Sequence, residues 1–197
     1  MFRKKTFADA YEALILGKYA AALKIFETLA RKGNLGPQYY AAVMYHRGQG
    51  AAQNYSKAVK WYYHAAEQGH EDAQYQLGAL YHQGQGVMQD YSEAAKWYYY
   101  AAKQGDKDAQ YHLGTLYHQG QGVSQDYSVA AKWYRHAADQ GDADAQNNLG
   151  VLYCNGIGVT QDYALAAGLY SCAAEQGNED AQRNLDAMYD DGKLNDL

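Results

Sequence analysis

Histidines recur at a fixed spacing in this chain, and they are the residues best suited to metal chemistry. His46, His82 and His118 are each 36 residues apart, and His64 and His136 share a second register. A metal site requires several ligand nitrogens at about 2.1 Å from one ion, whereas equivalent positions of stacked helices lie roughly 8–10 Å apart. Neither an H-E-x-x-H motif nor a Cys/His cluster of finger-like spacing occurs. The pattern favours a solvated or partner-contacting histidine column, and we expect no metal or other cofactor.

Nucleophilic catalysis would require a nucleophile within hydrogen-bond reach of a base that a third group orients. No Ser, Cys or carboxylate pair in the sequence stands in such a pattern. The segment Gly84-Gln85-Gly86 is rich in glycine, but it follows a predicted helix, whereas phosphate-binding glycine loops follow a strand. We therefore expect a protein that is not an enzyme.

The two cysteines are predicted to remain separate. Cys154 lies near the end of one predicted helix, and Cys172 lies well inside the next. In an antiparallel helix pair they fall near opposite ends, beyond the roughly 7 Å between Cα atoms that a disulfide can bridge. Both are therefore expected to be free thiols.

A repeated unit of 36 residues positions all of these side chains. Residues 73–108 are identical to residues 109–144 at 28 of 36 positions. A fixed period of this length is typical of a solenoid, in which each unit buries its apolar face against its neighbours. The predicted organisation is an atypical N-terminal capping repeat at 1–36, four repeats at 37–72, 73–108, 109–144 and 145–180, and a C-terminal capping helix and tail at 181–197.

Each unit is predicted to form a helix A, a glycine-containing loop and a helix B. In the second full repeat, Leu77 and its helical neighbours form the apolar stripe of helix A. Gly84 and Gly86 are expected where the backbone needs a positive φ. Asp90 is expected to cap helix B, with Glu93 completing a capping box. The predicted helices lie near residues 7–16, 19–32, 36–47, 54–68, 72–83, 90–104, 108–119, 126–140, 144–155, 162–176 and 180–191.

Small residues are expected to let the paired helices approach closely. Gly78, Gly114 and Gly150 lie beside the buried leucines, where a Cβ would hold the helices apart. Aromatic side chains of helix B are expected to fill the remaining space, as core residues rather than ligand contacts. These are Trp61, Trp97 and Trp133.

Together these residues form the pattern A-x-x-x-L-G-x-x-Y-x-x-G-x-G-V-x-x-D-Y-x-x-A-x-x-W-Y-x-x-A-A-x-Q-G. This pattern resembles the Sel1-like repeat, a relative of the tetratricopeptide repeat. It is complete at 73–105 and 109–141, and residues 37–69 and 145–177 depart from it at a few positions. The resemblance implies an all-α fold, a right-handed α/α solenoid of about 11 helices that binds other proteins.

A second hypothesis is an enzyme or small-ligand-binding protein. Some Sel1-like proteins are reported to bind or turn over penicillin-like compounds, and they belong to a cysteine-rich branch. Cysteines spaced eight apart join helix B to the next helix A in such proteins, and the same columns here hold Ala102 and Gln110, and Ala138 and Gln146. The resemblance therefore favours a non-catalytic scaffold or adaptor.

Charge is unevenly distributed along the chain. Residues 1–36 carry a net charge of +4, and the remainder carries −9. An acidic repeat body argues against nucleic acid as a partner, because phosphates need a basic track; the basic start is interpreted as a solvated cap. No apolar run reaches the roughly 20 residues that a membrane-spanning helix needs. We expect a soluble monomer, cytoplasmic as written, or periplasmic or secreted if a signal sequence was removed.

The face of helix A opposite the core is predicted to line the concave side of the stack, as a groove for an extended peptide or a partner helix. Tyrosine there offers a large contact area with only two χ angles to freeze, and its truncation is expected to cost little packing. The alternative is that these tyrosines only stack along the groove wall. The predicted groove residues are Tyr39, Val43, His46, Arg47, Tyr75, His82, Gln83, Tyr111, Thr115, His118, Gln119, Asn147 and Asn155.

Overall fold

Paired α-helices make up the regular structure of the chain, which was obtained as a computed structural model. The structure describes residues 4–193; the start of the predicted N-terminal capping repeat (1–3) and the end of the predicted tail (194–197) lie outside the described residues. Residues 4–193 contain eleven helices and no strand. The helices are α1 (Phe7–Ile15), α2 (Tyr19–Ala30), α3 (Leu35–Arg47), α4 (Tyr55–Glu67), α5 (Glu71–Gln83), α6 (Tyr91–Gln104), α7 (Lys107–Gln119), α8 (Tyr127–Asp139), α9 (Ala143–Asn155), α10 (Tyr163–Glu175) and α11 (Glu179–Asp190).

These helices confirm the all-α prediction, and each begins and ends within two residues of its predicted bounds. Local capping signals explain this agreement, as the start of α1 shows. The backbone N–H of Asp9 donates to Thr6 Oγ1 at 3.3 Å, and the N–H of Thr6 donates to the Asp9 carboxylate at 2.7 Å. Such reciprocal bonds satisfy backbone donors that have no partner inside the helix.

The chain divides into two units, Met1–Ala101 and Ala102–Leu197, and the division falls within α6. In the first unit α1 packs on α2, α2 on α3, α3 on α4 and α4 on α5. In the second unit the same sequential packing runs from α7 to α11. Each unit therefore has the nearest-neighbour packing of a helical solenoid.

In three of the helix pairs, a buried tyrosine of helix B lies against a glycine of helix A. A Cβ added to Gly78 would lie 2.8 Å from Cδ1 of Tyr98, and one added to Gly114 would lie 2.8 Å from Cδ1 of Tyr134. Carbon atoms repel each other at that distance, so glycine is required for the ring to sit against the helix A backbone. The third pair of this kind is Gly150 with Tyr170.

The tyrosines, and not the tryptophans, lie against these glycines, so the prediction is wrong at that contact. The prediction that the tryptophans are core residues is confirmed for Trp97, and Trp61 packs against the core. Trp97 is buried, but Trp61 and Trp133 are only half-buried. Tyr98 and Tyr134 each follow a tryptophan by one residue, and the rotation of about 100° turns the tyrosine toward helix A. Trp61 and Trp133 pack near the imidazoles of His64 and His136, with ring centroids 6.0 and 5.6 Å apart.

The two loop glycines have the positive φ angles that the sequence predicts, and each has its own role. Gly84 has φ 69° and ends α5 in the left-handed conformation. Gly86 has φ 75°, and a Cβ there would lie 2.4 Å from the carbonyl carbon of Tyr55 at the start of α4. Ser56 Oγ donates to the carbonyl oxygen of Gly86 at 2.8 Å. The first glycine therefore ends helix A, and the second allows the loop to pack against the preceding helix B.

Asp90 caps α6 as predicted, but the predicted capping box with Glu93 is not formed. Asp90 Oδ1 accepts hydrogen bonds from the backbone N–H groups of Ser92 and Glu93 at 2.9 and 3.0 Å. The N–H of Asp90 donates to the carbonyl oxygen of Tyr81 at 3.0 Å. The Glu93 carboxylate accepts from Trp97 Nε1 at 3.2 Å. The turn of the loop thus satisfies the donor that a capping box would have satisfied.

Buried glutamines join helix A to the preceding helix B, a feature that the sequence analysis missed. Gln146 Nε2 donates to the carbonyl oxygen of Ala138 at 3.2 Å, and Gln146 Oε1 accepts from Gln176 Nε2 at 2.8 Å. Gln110 makes the equivalent two bonds at 3.1 and 2.8 Å. Because Gln146 is only 8% exposed, these bonds satisfy polar groups that water does not reach.

We expect Gly114→Ala to lower the free energy of unfolding by about 1–2 kcal/mol, because crowding of the Tyr134 ring outweighs the gain in helix propensity. Urea denaturation measures the change. Gly168→Ala in α10 is the matched control, since nothing lies within 4 Å of its Cβ position. It should raise the free energy of unfolding by about 0.5–1 kcal/mol. Equal effects at the two glycines would contradict the close-contact explanation.

Gln146→Met should lower the free energy of unfolding by about 1–3 kcal/mol, because methionine is similar in length but can neither donate to the carbonyl oxygen of Ala138 nor accept from Gln176 Nε2. Thermal unfolding followed by circular dichroism measures the loss. Gln182→Met is the control, since the side chain of Gln182 is exposed and donates to Asp186 on the surface; its effect should stay within about 0.5 kcal/mol. A Gln146→Met protein as stable as the parent would show that the buried bond does not stabilise the fold.

Candidate functional site

The predicted groove residues lie on the A helices, and those within one unit are called its helix-A surface. In the first unit the helix-A surface consists of Tyr39, Val43, His46 and Arg47 of α3, and Tyr75, His82 and Gln83 of α5. In the second unit it consists of Tyr111, Thr115, His118 and Gln119 of α7, and Asn147 and Asn155 of α9. Each unit therefore carries the predicted residues of two successive A helices.

Exposure divides the helix-A surface into a half-buried layer of rings and an exposed polar edge. The tyrosines and histidines of the surface are all half-buried. The exposed edge is formed by the last residue of each A helix, and its members are Arg47, Gln83, Gln119 and Asn155. A partner that docks here would meet hydrogen-bonding groups at the edge and ring surface beneath them.

Tyr39 is enclosed by side chains from three segments of the first unit. Its ring stacks on the imidazole of His70 with centroids 4.2 Å apart, and it lies 6.1 Å from the ring of Tyr62. Its hydroxyl lies in the field of the Asp72 carboxylate. Burial, followed by the charge of Asp72, raises the pKa of Tyr39 to about 12. The hydroxyl therefore stays protonated at neutral pH.

Tyr75 and Tyr111 pack against the buried tyrosine of their own helix pair. The ring centroids of Tyr75 and Tyr98 are 5.9 Å apart, and those of Tyr111 and Tyr134 are 6.0 Å apart. The expectation that truncating these tyrosines costs little packing is therefore wrong. Their rings contribute to the cohesion of the pair as well as to its surface.

The histidine column packs edge-on against the first tyrosine of each helix B. The ring centroids of His46, His82 and His118 lie 5.3, 5.3 and 5.2 Å from those tyrosines. Burial lowers the pKa of all three imidazoles, so they are neutral at pH 7. Among residues 4–193, no group of three or more His, Cys, Asp or Glu side chains is placed to hold a metal ion. The tyrosines that contact His46, His82 and His118 are, in that order, Tyr55, Tyr91 and Tyr127.

Hydrogen bonds fix the polar members of the surface in the second unit. Thr115 Oγ1 donates to the carbonyl oxygen of Tyr111 at 3.1 Å and accepts from the Tyr134 hydroxyl at 3.3 Å. Asn147 Oδ1 accepts from Asn184 Nδ2 of α11 at 2.9 Å. These side chains therefore have a defined orientation before any partner binds.

Two further expectations concern residues outside the helix-A surface. Cys154 is buried and Cys172 is exposed, and both are free thiols, as predicted. In the part of the chain that the structure describes, no helix is both long and apolar enough to cross a membrane.

An acidic partner of the surface tyrosines was not predicted. Asp72 lies 33 residues after Tyr39, and Asp144 lies 33 residues after Tyr111. Burial, and then the charge of Asp144, raise the pKa of Tyr111. Both aspartates stand in the first turn of the following helix A. The equal spacing is the sequence signal that could have identified them.

Comparison with protein families identifies the repeat. The family model for the Sel1 repeat matches residues 38–70, 71–106, 107–142 and 143–178. A comparison with curated proteins gives no match.

Two solved structures are similar to this chain in sequence and in fold. A protective antigen present in uropathogenic Escherichia coli strains, which displays an SLR fold, is 37% identical with a TM-score of 0.86. That match covers 95% of this chain and 42% of the antigen, so the chain spans about two fifths of that protein. A Sel1 repeat protein from Oxalobacter formigenes is 35% identical with a TM-score of 0.84, and the match covers 93% of this chain and 76% of the other.

Lowering the pH from about 7.5 to about 5.5 should reduce the free energy of unfolding. The folded chain keeps His46, His82 and His118 neutral, because burial lowers their pKa values below the ordinary 6.5. The unfolded chain takes up protons as the pH falls through about 6.5, so stability is full above that pH and is lost below it. Urea denaturation at both pH values measures the loss, and His118→Gln should make it smaller. An unchanged or higher stability at the lower pH would contradict the burial of these imidazoles.

Proposed function

The chain belongs to the Sel1 repeat family, and we propose that it is a non-catalytic scaffold that binds a peptide or a partner helix at the helix-A surface. Sel1 repeat proteins are commonly interaction scaffolds, and the fold of this chain is of that kind. In this proposal residues 37–180 supply the binding repeats, residues 1–36 and 181–197 cap them, and the protein acts as a monomer.

Recurrence at the exposed edge is the observation that carries the proposal. Between the second and third full repeats, Gln83 recurs as Gln119, and both side chains are exposed. Over the same two repeats one exposed helix B residue changes from Tyr99 to Arg135, whereas another, Lys96, recurs as Lys132. What sets the recurring amides apart is the layer of half-buried tyrosine and histidine rings on the same helices. Packing requires the rings beneath the edge, but it places no such requirement on an exposed amide. A recurring exposed amide above a fixed layer of rings supports binding.

The side chains of the helix-A surface are suited to binding the uncharged backbone of a peptide. The amides of Gln83, Gln119 and Asn155 each offer a donor and an acceptor, which match the N–H and C=O groups of a peptide. Tyrosine and neutral histidine rings below them provide flat contact area that needs no counter-ion. Arg47 is the only charged member of the predicted set.

An enzyme or a penicillin-binding protein is not favoured by any observation here. The imidazoles of the helix-A surface pack against tyrosine rings, as His118 does against Tyr127. The thiol of Cys154 is buried and that of Cys172 lies on helix B. These groups do not form the nucleophile, base and orienting group that covalent catalysis requires.

Peptides selected from a phage-displayed random library against the whole chain should bind the helix-A surface. The double variant Gln83→Arg with Gln119→Arg should weaken them at least about tenfold, or about 1.4 kcal/mol, because a larger charged side chain blocks the edge. Its melting temperature should not change, since both glutamines are exposed. Isothermal titration calorimetry measures the affinity.

Lys132→Ala serves as the control, because Lys132 is exposed on helix B of the second unit. Its peptide affinity should equal that of the parent. Peptides that bind the double variant normally, or that are lost on Lys132→Ala, would move the site away from the helix-A surface.

A further inference from the structure

A groove of about 680 Å³ runs between α1 and α2 at the start of the first unit. Among residues 4–193, its lining residues belong to these two helices and the segments beside them. Its floor is apolar, with Ala13, Ile25 and Leu29 among the lining side chains. At the rim Leu16 is 58% exposed, and the neighbouring Ile15 is 70% exposed. An exposed aliphatic side chain at the rim of an apolar floor is suited to contact with a partner.

The rim of this groove is strongly basic. Two carboxylates also line it, but Asp9 is engaged in capping α1, where it accepts the N–H of Thr6 at 2.7 Å. Within residues 4–193, none of the ion pairs involves a lysine of the rim. The positive charge of these lysines is therefore available to an incoming ligand. The interpretation of the basic start of the chain as a solvated cap does not account for the apolar floor between the lysines. The lysines are Lys4, Lys5, Lys18, Lys24 and Lys32.

The opposite side of the α1–α2 pair is already covered by a helix. Phe26 of α2 stacks on Tyr40 of α3 with ring centroids 5.1 Å apart, and Phe7 of α1 lies 5.6 Å from the same ring. In a solenoid, each helix pair can pack against helices on both of its sides. The groove side is therefore suited to a further helix in shape as well as in polarity.

A helix that fits must combine an apolar stripe with carboxylates. The acidic helix α11 of a second copy has the charge, but Ala181 and Met188 of its apolar stripe are buried in its own unit, and its large exposed apolar side chain is the ring of Tyr189. It would bring carboxylates and a phenol ring to the groove, but no aliphatic stripe to cover the apolar floor. The complementary ligand is an acidic amphipathic helix whose apolar stripe is not already buried.

We propose that the α1–α2 groove binds an acidic amphipathic helix of a partner protein. Leucine-like side chains of that helix pack on Leu16, Ile25 and Leu29, and its carboxylates pair with the lysines of the rim. This site is separate from the helix-A surface and does not rest on the function proposed above.

A fluorescein-labelled probe peptide of about 18 residues tests the proposal, with leucine at i, i+3, i+4 and i+7 and glutamate at the flanking positions. Fluorescence anisotropy with the whole chain should show binding that weakens as salt is added. Lys18→Glu combined with Lys24→Glu should reduce the affinity at least about tenfold. Both lysines are exposed, so this variant should keep its melting temperature. Ile25→Asp, which removes part of the floor, should also reduce the affinity.

Lys60→Glu combined with Lys132→Glu is the matched control, because it makes the same change of charge at exposed positions of helix B. This control should bind the probe as the parent does, and a peptide with lysine in place of every glutamate should not bind. Equal binding of the lysine peptide, or normal binding by the Lys18→Glu, Lys24→Glu variant, would overturn the proposal. So would binding to phosphatidylglycerol vesicles without binding to the probe, or a concentration-dependent dimer that the same variant abolishes.

Discussion

The contact between a helix B tyrosine and a helix A glycine determines how closely the two helices of a pair approach. Cδ1 of the Tyr134 ring lies 2.8 Å from the position that a Cβ of residue 114 would occupy. The same ring also contacts Tyr111 of the helix-A surface, with centroids 6.0 Å apart. The surface is therefore built directly on the core contact. Any change that moves the helix B tyrosine would also move the rings that a partner would meet.

Consecutive pairs are joined by hydrogen bonds at the positions where cysteine-rich Sel1-like proteins have a disulfide. In the second unit these columns hold Ala138 and Gln146, and Gln146 donates to the carbonyl oxygen of Ala138. A hydrogen bond contributes about 0.5–1.5 kcal/mol, whereas a disulfide contributes about 2–4 kcal/mol. The connection between pairs must therefore depend mainly on close packing of small side chains. Because Cys154 and Cys172 are free thiols, it does not depend on a disulfide between them.

Features that depend on a few neighbouring residues could be predicted from the sequence. The cap at Thr6 and the positive φ angles of Gly84 and Gly86 are of this kind, because each follows from residues within one turn. The helical wheel gives the direction of a side chain but not how far it reaches, so it did not show that Tyr98 rather than Trp97 covers Gly78. The α1–α2 groove was missed for a related reason, since its apolar floor exists only when the two helices lie side by side.

Packing and binding were alternative interpretations of the tyrosines in the sequence. For the rings of the helix-A surface, the two roles are compatible. The ring of His118 is held 5.2 Å from Tyr127, and Tyr111 is held against Tyr134. Ordering a flexible side chain at an interface costs about 0.5–1.5 kcal/mol. A ring that the fold already holds avoids most of that cost when a partner docks, so burial of one side favours binding on the other. The exposed amide of Gln119 has more freedom to lose, and in the proposed scaffold it would select partners by the direction of its hydrogen bonds.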